Sequence, residues 1–355
     1  MSVSIDKQPV QDAAAADEPD QAAHAVEPAY LPAERRIPLL GLAERYALVV
    51  LTAGICLYFS VAPASGDVFA TLSNVNVVLG GQTAVLMIAI AAVFPLVAGH
   101  IDFSLGATTA ASMVLAAGLM SRHDMSLVVC VVACLMFGAV VGLVNGVAVT
   151  GVGMNPFVTT LGVATLLGGG ILWYTNGQTI FQGISPDLRI FGSSTVAGLP
   201  QVTAVVVVVA LIAWYLLTHT PYGRSLYAIG SNPVSARLVG LRVGRNVLLA
   251  FVISGTIAGA AGVLQLSRTG SATADSGTAL LFPALAAVFL GATAIRPGFF
   301  NVVGTVIGAL FVSFSVSGLT ISGADTWVSP VFNGVALLVA VGLSTWLNAR
   351  RRGRG

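Results

Sequence analysis

Residues 125–186 read MSLVVCVVACLMFGAVVGLVNGVAVTGVGMNPFVTTLGVATLLGGGILWYTNGQTIFQGISP, without one Asp, Glu, Lys or Arg. About 20 apolar residues carry a helix across a bilayer core. This run is too long for one span and must turn inside itself. Further charge-free stretches cover 46–66, 68–101, 103–121, 190–223, 246–267, 276–295, 297–324 and 326–349. Over the whole chain 56% of residues are hydrophobic and 8% are charged, against roughly 25% charged in a soluble domain. Mean hydropathy is +0.91. The pattern predicts an all-α, polytopic transmembrane helical bundle. Its candidate spans are 46–63, 81–98, 104–120, 126–148, 157–174, 198–217, 246–266, 280–294, 299–319 and 327–347, about ten helices in all. The stretch 68–79 is too polar and too short to cross and is expected in the interface. Segments 157–174 and 280–294 are short enough to be re-entrant.

Residues 1–45 have a different composition, rich in Ala, Pro, Gln and acids. Such a segment buries too little apolar surface to order itself, and it lacks the basic-then-apolar start of a signal peptide. It is expected to be a disordered cytoplasmic tail. It precedes a transmembrane domain over 46–347, and a basic cytoplasmic tail follows at 348–355.

Loop charge sets orientation. With ten crossings and the tail inside, Lys7, Arg35, Arg36, Arg45, Arg224, Arg237, Arg242, Arg245, Arg296, Arg350, Arg351, Arg352 and Arg354 fall on the cytoplasmic side. Arg122, Arg189 and Arg268 fall outside, together with Asp67, Asp124, Asp187, Asp275 and Asp325. A shift by one helix would scramble this split. The net charge of +2 offers no basic face for nucleic acid.

Helices in lipid associate through small residues that let backbones approach. Gly138, Gly142 and Gly146 repeat at four-residue spacing, as do Gly255 with Gly259 and Gly304 with Gly308. They are expected at helix contacts. Cys130 and Cys134 share a helix face, with no His or acid near in sequence, so packing is expected there rather than a metal. The three cysteines exclude a disulfide framework.

The stretch 220–246, TPYGRSLYAIGSNPVSARLVGLRVGRN, reads as a loop. Pro221 and Gly223 are expected to end the preceding helix, and 230–233 to form a turn capped by Ser231 or Asn232. A short amphipathic helix follows at about 234–241, with Val234, Leu238 and Leu241 on one side and Arg237 beside them. Such a helix either lies in the interface or docks into a groove on a soluble partner.

This loop resembles the coupling loop of sugar-type (ribose/xylose/galactoside) ABC importer permeases of the branched-chain permease superfamily. The family pattern is matched at Tyr222, Gly223, Arg224, Tyr227, Ala228, Ile229, Gly230, Asn232, Ala236, Arg237, Leu238 and Gly240. AGHIDFSLG (98–106), GLVNGVAVTGVGMNPFVTTLG (142–162) and SGTIAGAAGVL (254–264) resemble further family motifs. The resemblance spans about 80–345. It departs at 285–301 (LAAVFLGATAIRPGFFN), where the family has a glycine-rich turn. The resemblance implies a non-enzymatic permease subunit in the bacterial inner membrane, and the charge split above puts both termini in the cytoplasm. It further implies an ATP-binding cassette ATPase subunit, an external solute-binding protein and a second permease copy. Arg224, Gly230, Asn232, Ala236, Arg237, Leu238 and Gly240 would couple to the ATPase.

The residues themselves agree with a separate ATPase. A P-loop needs a lysine to reach nucleotide phosphates, and the only lysine is Lys7. The chain is expected to hold no cofactor, since ATP is used by the partner. Gln82, Asn145, Thr159, Thr160 and Gln265 are the polar residues within spans that suit a hydroxylated solute. Asp102 is read as a capping or latch residue between two spans. A rival reading is a secondary transporter coupled to an ion gradient, which would want acids at mid-membrane. Asp102 sits at an edge instead. An intramembrane enzyme is disfavoured, because His100, His123 and His219 all fall at span ends.

Overall fold

The computed structural model describes residues 38–273 and 277–352, with side chains over 45–342 except 274–276 and 278. The expected tail therefore lies outside the described residues up to 37. Helix α1 (Pro38–Val61) starts earlier than the expected boundary at 45. Pro38 sits at the helix start, where its fixed φ and missing N–H cost nothing.

After α1 come α2 (Gly66–Phe69), α3 (Leu72–Gly81), α4 (Thr83–Val97), α5 (Leu105–His123) and α6 (Leu127–Val147). A π-helical turn (Ala148–Val152) extends α6. Then follow α7 (Pro156–Thr175) and α8 (Pro186–Ser193). A small antiparallel hairpin comes next, β1 (Thr195–Val196) with β2 (Leu199–Pro200). The chain continues through α9 (Gln201–His219), α10 (Pro221–Ser231), α11 (Pro233–Leu238), α12 (Val243–Thr269), α13 (Thr278–Gly291), α14 (Val302–Ile321) and α15 (Val328–Arg352).

Each expected apolar segment contains a helix, and the chain is a multi-pass helical membrane bundle. Among the described residues, five helices are long and apolar enough to cross alone: α6 with its π turn, α7, α9, α12 and α14. Helices α3 and α4 pass the same length and hydropathy test only as a pair, bent by 47° at Gln82, the geometry of a broken span or a re-entrant loop. The stretch 68–79 lies in α2 and in α3, the first arm of that bend. Helix α7, at 20 residues, is long enough to cross without re-entry. Outward faces are apolar: Val128, Met136 and Val140 on α6, and Leu166 and Trp173 on α7, are exposed, as lipid-facing side chains must be.

All fifteen residues of α4 are buried. A helix apolar on every side belongs inside a bundle, and α4 packs against α12, α13, α9 and α14. Two glycine seams close around it. On α6, a Cβ at Gly138 would strike the Gly255 carbonyl, one at Gly142 the Phe251 carbonyl, and one at Gly146 would lie 3.1 Å from Leu248 Cα. The contact is reciprocal: Gly255 faces the Gly138 carbonyl and Gly259 that of Cys134. In the second seam Gly304 of α14 faces the Gly291 carbonyl of α13, and Gly308 that of Ala287. These positions are the glycines expected at helix contacts. Cys134 belongs to the first seam, its Sγ donating to the Ser112 carbonyl.

Contacts sort the connections onto two ends of the bundle. At one end, Ile295 N donates to the Arg45 carbonyl (3.0 Å), Phe103 N to Thr160 Oγ1, and Gly230 lies against the Val97 carbonyl. At the other, Arg122 Nη2 reaches the Tyr174 carbonyl, Ile180 pairs with Ala272, and Arg268 Nη1 donates to the Gly192 carbonyl. The described basic residues divide with them, Arg45, Arg224, Arg237, Arg242, Arg245 and Arg296 at the first end, Arg122, Arg189 and Arg268 at the second.

Filling the first seam should be costly, and filling an open glycine should not. Gly142→Ala places a methyl against the Phe251 backbone and should destabilise by about 1–3 kcal/mol or more. Gly54→Ala on α1, where nothing lies within 4 Å, should gain up to about 1 kcal/mol of helix propensity. Thermal unfolding in detergent reads both, and equal effects would contradict the seam.

Candidate functional site

The stretch 220–246 is mostly helical, which corrects the expected loop. Helix α9 ends at His219, directly before Thr220 and Pro221 as expected, but Pro221 also starts a new helix. Thr220 Oγ1 accepts from Gly223 N (3.3 Å) as the cap of α10. Gly223 is needed because a Cβ there would strike the Leu217 carbonyl where the chain folds back from α9. The expected turn at 230–233 shrinks to one residue, Asn232. Its Oδ1 accepts from Val234 N and Ser235 N, each at 3.0 Å, and caps α11. Gly240, at φ +83, ends that element, with Leu241 N donating back to the Ala236 carbonyl (3.0 Å).

This geometry changes the expected apolar side of α11. Val234, Leu238 and Val239 point outward, Leu238 being 84% exposed. Leu241 packs inward against the core instead, because the left-handed turn at Gly240 redirects the chain. Ala236 is buried beneath α11. Arg224, Arg237, Arg242 and Arg245 on the same stretch are exposed. Gly230 and Ala236 therefore seat the surface, while Arg224, Arg237 and Leu238 are available to a partner.

Asp102 lies in the turn between α4 and α5 and is almost fully buried. Its Oδ1 accepts from Ser104 N (2.9 Å) and Ser104 Oγ (2.6 Å). Asn145 Nδ2 of α6 donates to the same Ser104 Oγ (2.8 Å). Because that hydroxyl gives its proton to Asp102, the amide must present its NH2 to it. Next to this cluster, Phe103 N donates to Thr160 Oγ1 (3.0 Å). Burial pushes the Asp102 carboxyl up to about 6, against the pull of the Ser104 hydrogen bonds. Burial likewise lowers the neighbouring His100.

The structure thus brings Asp102, Asn145 and Thr160 together, through Ser104 and Phe103. Thr159 lies at the same end but does not join the cluster, and Gln82 and Gln265 lie apart from it. Thr159 Oγ1 is spent on the Asn155 carbonyl (2.9 Å). Gln265 stands one turn before Arg268, whose guanidinium packs against Gly80, two residues before Gln82. That pair belongs to the opposite end of the bundle. Two interhelical cavities are apolar: about 410 Å³ between α5, α6 and α7, and about 310 Å³ between α4, α6, α9 and α12. Neither is lined by these five residues.

The chain matches the family described as "Branched-chain amino acid transport system / permease component" over residues 73–341. It is 31% identical over 303 residues to the ribose import permease protein of Escherichia coli (strain K12), covering 84% of this chain and 93% of that one. It is 30% identical over 294 residues to the D-allose transport system permease protein of the same strain, covering 83% and 89%. It is 32% identical over 296 residues to an autoinducer 2 import system permease protein of Yersinia enterocolitica, covering 78% and 89%. No solved structure matches it significantly.

The Asp102 cluster has a pH signature. A carboxyl whose folded pKa stands near 6, above its ordinary 3.8, contributes stability below about pH 4 that is lost as pH rises through 6. Asp102→Asn keeps an acceptor for Ser104 but does not titrate. Its stability relative to the unsubstituted protein should rise between pH 4 and 7, by at most about 3 kcal/mol. Thermal unfolding across that range measures it, and a flat difference would place the carboxyl in contact with water.

Proposed function

Because this chain belongs to the family of branched-chain transport permease components, we propose that it is the membrane subunit of an ATP-binding cassette importer for a monosaccharide or similar small polyol. Two of the relatives are named for monosaccharides, ribose and D-allose. The observation that carries the reading is the α10–α11 surface. A six-residue helix, capped at its start and turned sharply at Gly240, holds Val234, Leu238 and Val239 outward. An apolar knob on a rigid mount, with exposed arginines in the same stretch, suits a groove with an acidic rim on a soluble ATPase. Arg224 and Arg237 would meet the rim, and Leu238 would fill the groove. Asn232, Gly230, Ala236 and Gly240 would hold the mount.

Lys7 is the only lysine in this sequence, so the P-loop would be supplied by a separate ATPase chain. ATP is then the partner's cofactor. A solute-binding protein would deliver at the opposite end, and a second permease copy would complete the path. Gln82 and Gln265 would meet the solute at the delivery end, and Asn145, Thr159 and Thr160 near the ATPase end. Asp102 would act as a latch between α5 and α6 there. Family membership favours this importer over an ion-coupled carrier.

The end that bears α11 would be cytoplasmic, because it holds the arginine excess. Ten crossings would then put both termini inside the inner membrane. Ala64, Ser193 and Ser322 are exposed at the other end, whereas Ser65 is buried and unsuited to labelling. Cysteines at the three exposed positions should react with a membrane-impermeant reagent from outside. Protection of any two would overturn the orientation.

Leu238→Glu tests the docking surface. Expression and membrane insertion should be unchanged, because the side chain touches solvent. Co-purification with the partner ATPase should fall by tenfold or more, since a buried unpaired charge costs several kcal/mol. Uptake by the unsubstituted complex should require ATP. Solute accumulation by this chain alone, driven by an ion gradient, would overturn the reading.

A further inference from the structure

Helix α10 has an inner side that plays no part in docking. Tyr222 Oη donates to the Asn246 carbonyl (3.2 Å), in the first turn of α12. Tyr227 Oη donates to the Phe300 carbonyl (2.7 Å), directly before Asn301, the cap of α14. Between and beyond them Leu226 and Ile229 are buried. Gly230 lies so close to the Val97 carbonyl that a methyl group would collide. An eleven-residue helix is about 16 Å long. Over that length α10 rests on the ends of three helices: α12, α14 and α4.

These three helices carry the bundle's tight packing. Helix α12 is locked to α6 by the first glycine seam, α14 to α13 by the second, and α4 is buried between them. The acceptor for Tyr227 is itself held firmly. Asn301 Nδ2 lies within hydrogen-bond distance of the Phe299, Ala294 and Gly291 carbonyls (3.0, 3.2 and 3.4 Å). Its Oδ1 accepts from Gly304 N (2.7 Å). In the same turn Ile295 adopts φ +60, a conformation rare for a β-branched residue and costly unless its surroundings impose it. Such a turn transmits displacement rather than absorbing it.

We propose that Tyr222 and Tyr227 are positioning residues that make α10 a crossbar between the two seams. A shift of α11 moves α12 through Tyr222 and α14 through Tyr227 in the same stroke. The inference rests on the reading that α11 is the ATPase dock. Helix α11 follows α10 across the single residue Asn232, so the two cannot move far independently. Burial pushes both phenols upward from their ordinary range, which keeps the donors protonated throughout the physiological range.

The test uses the complete reconstituted importer with Tyr222→Phe, Tyr227→Phe and the pair. Phenylalanine keeps the ring and removes only the donor. Solute uptake and ATP hydrolysis are measured in the same proteoliposomes. Assembly and hydrolysis should stay within about twofold of the unsubstituted complex, while uptake falls about tenfold in each single variant, the scale of one lost hydrogen bond. The ratio of ATP consumed to solute moved should therefore rise. A proportional fall of both activities, or failure to assemble, would mark the hydroxyls as purely structural and overturn the proposal. An unchanged ratio would overturn it too. If the unsubstituted chain transports without any ATPase, the importer reading fails first, and that outcome is distinct from a coupled complex whose tyrosine variants remain coupled.

Discussion

Backbone-to-backbone contact between helices is the constraint on which this bundle depends. In lipid no hydrophobic force drives apolar helices together, so association rests on close packing. The α6–α12 and α13–α14 seams supply it by removing side chains on both sides of each contact. At Gly138 and Gly255 each helix presses on the other's carbonyl. No other residue type permits that distance. The tight seams leave α4 a slot in which every residue is covered. They also let polar atoms inside the bundle find main-chain partners. Thr109 reaches Ala258 across the α5–α12 contact, and Ser112 reaches Gly259.

The same economy explains which polar residues are free for other work. Hydroxyls in the spans mostly return to the carbonyl one turn back, as Thr52, Thr150, Thr256, Ser313 and Ser315 do. Such residues are satisfied locally and tell little about solute contact. Asp102 and Asn145 cannot satisfy themselves this way, and they meet through Ser104. Their pairing ties the start of α5 to the end of α6, next to the π turn. The buried Asp102 carboxyl is held by the Ser104 hydroxyl and main-chain N–H, with no cation among the causes of its shift.

Much of the fold was legible because lipid imposes a simple rule on charge. Every charge-free segment proved to hold a helix, and the glycine periodicity marked real seams. Which helix faces which could not be read from one-dimensional spacing, since Gly142 meets Phe251 more than a hundred residues away. The helical form of the 220–246 stretch was only partly legible. Pro221 and Gly223 look like helix terminators, yet Pro221 sits at a first turn and Gly223 at a fold-back onto Leu217. Leu241 has the right spacing for the outward face of α11, but the positive φ at Gly240 sends it inward and brings Val239 out. The Asp102–Ser104–Asn145 link joins residues 41 positions apart, and no local pattern announces it. The five polar path candidates shared only a residue type, and the fold divides them between two ends.

Docking and packing are linked by a difference in exposure along one short stretch. From Pro221 to Gly240 the chain alternates between residues that grip the bundle and residues that face water. Tyr222, Leu226, Tyr227, Ile229 and Ala236 grip; Arg224, Val234, Arg237, Leu238 and Val239 face outward. An interfacial anchor would need its apolar side chains directed at the bilayer and its arginines snorkelling past them. Under the proposed docking the exposed Val234, Leu238 and Val239 would enter the groove, while buried Ala236 and the Tyr222 and Tyr227 hydroxyls, bonded to the Asn246 and Phe300 carbonyls, hold the same stretch to the bundle.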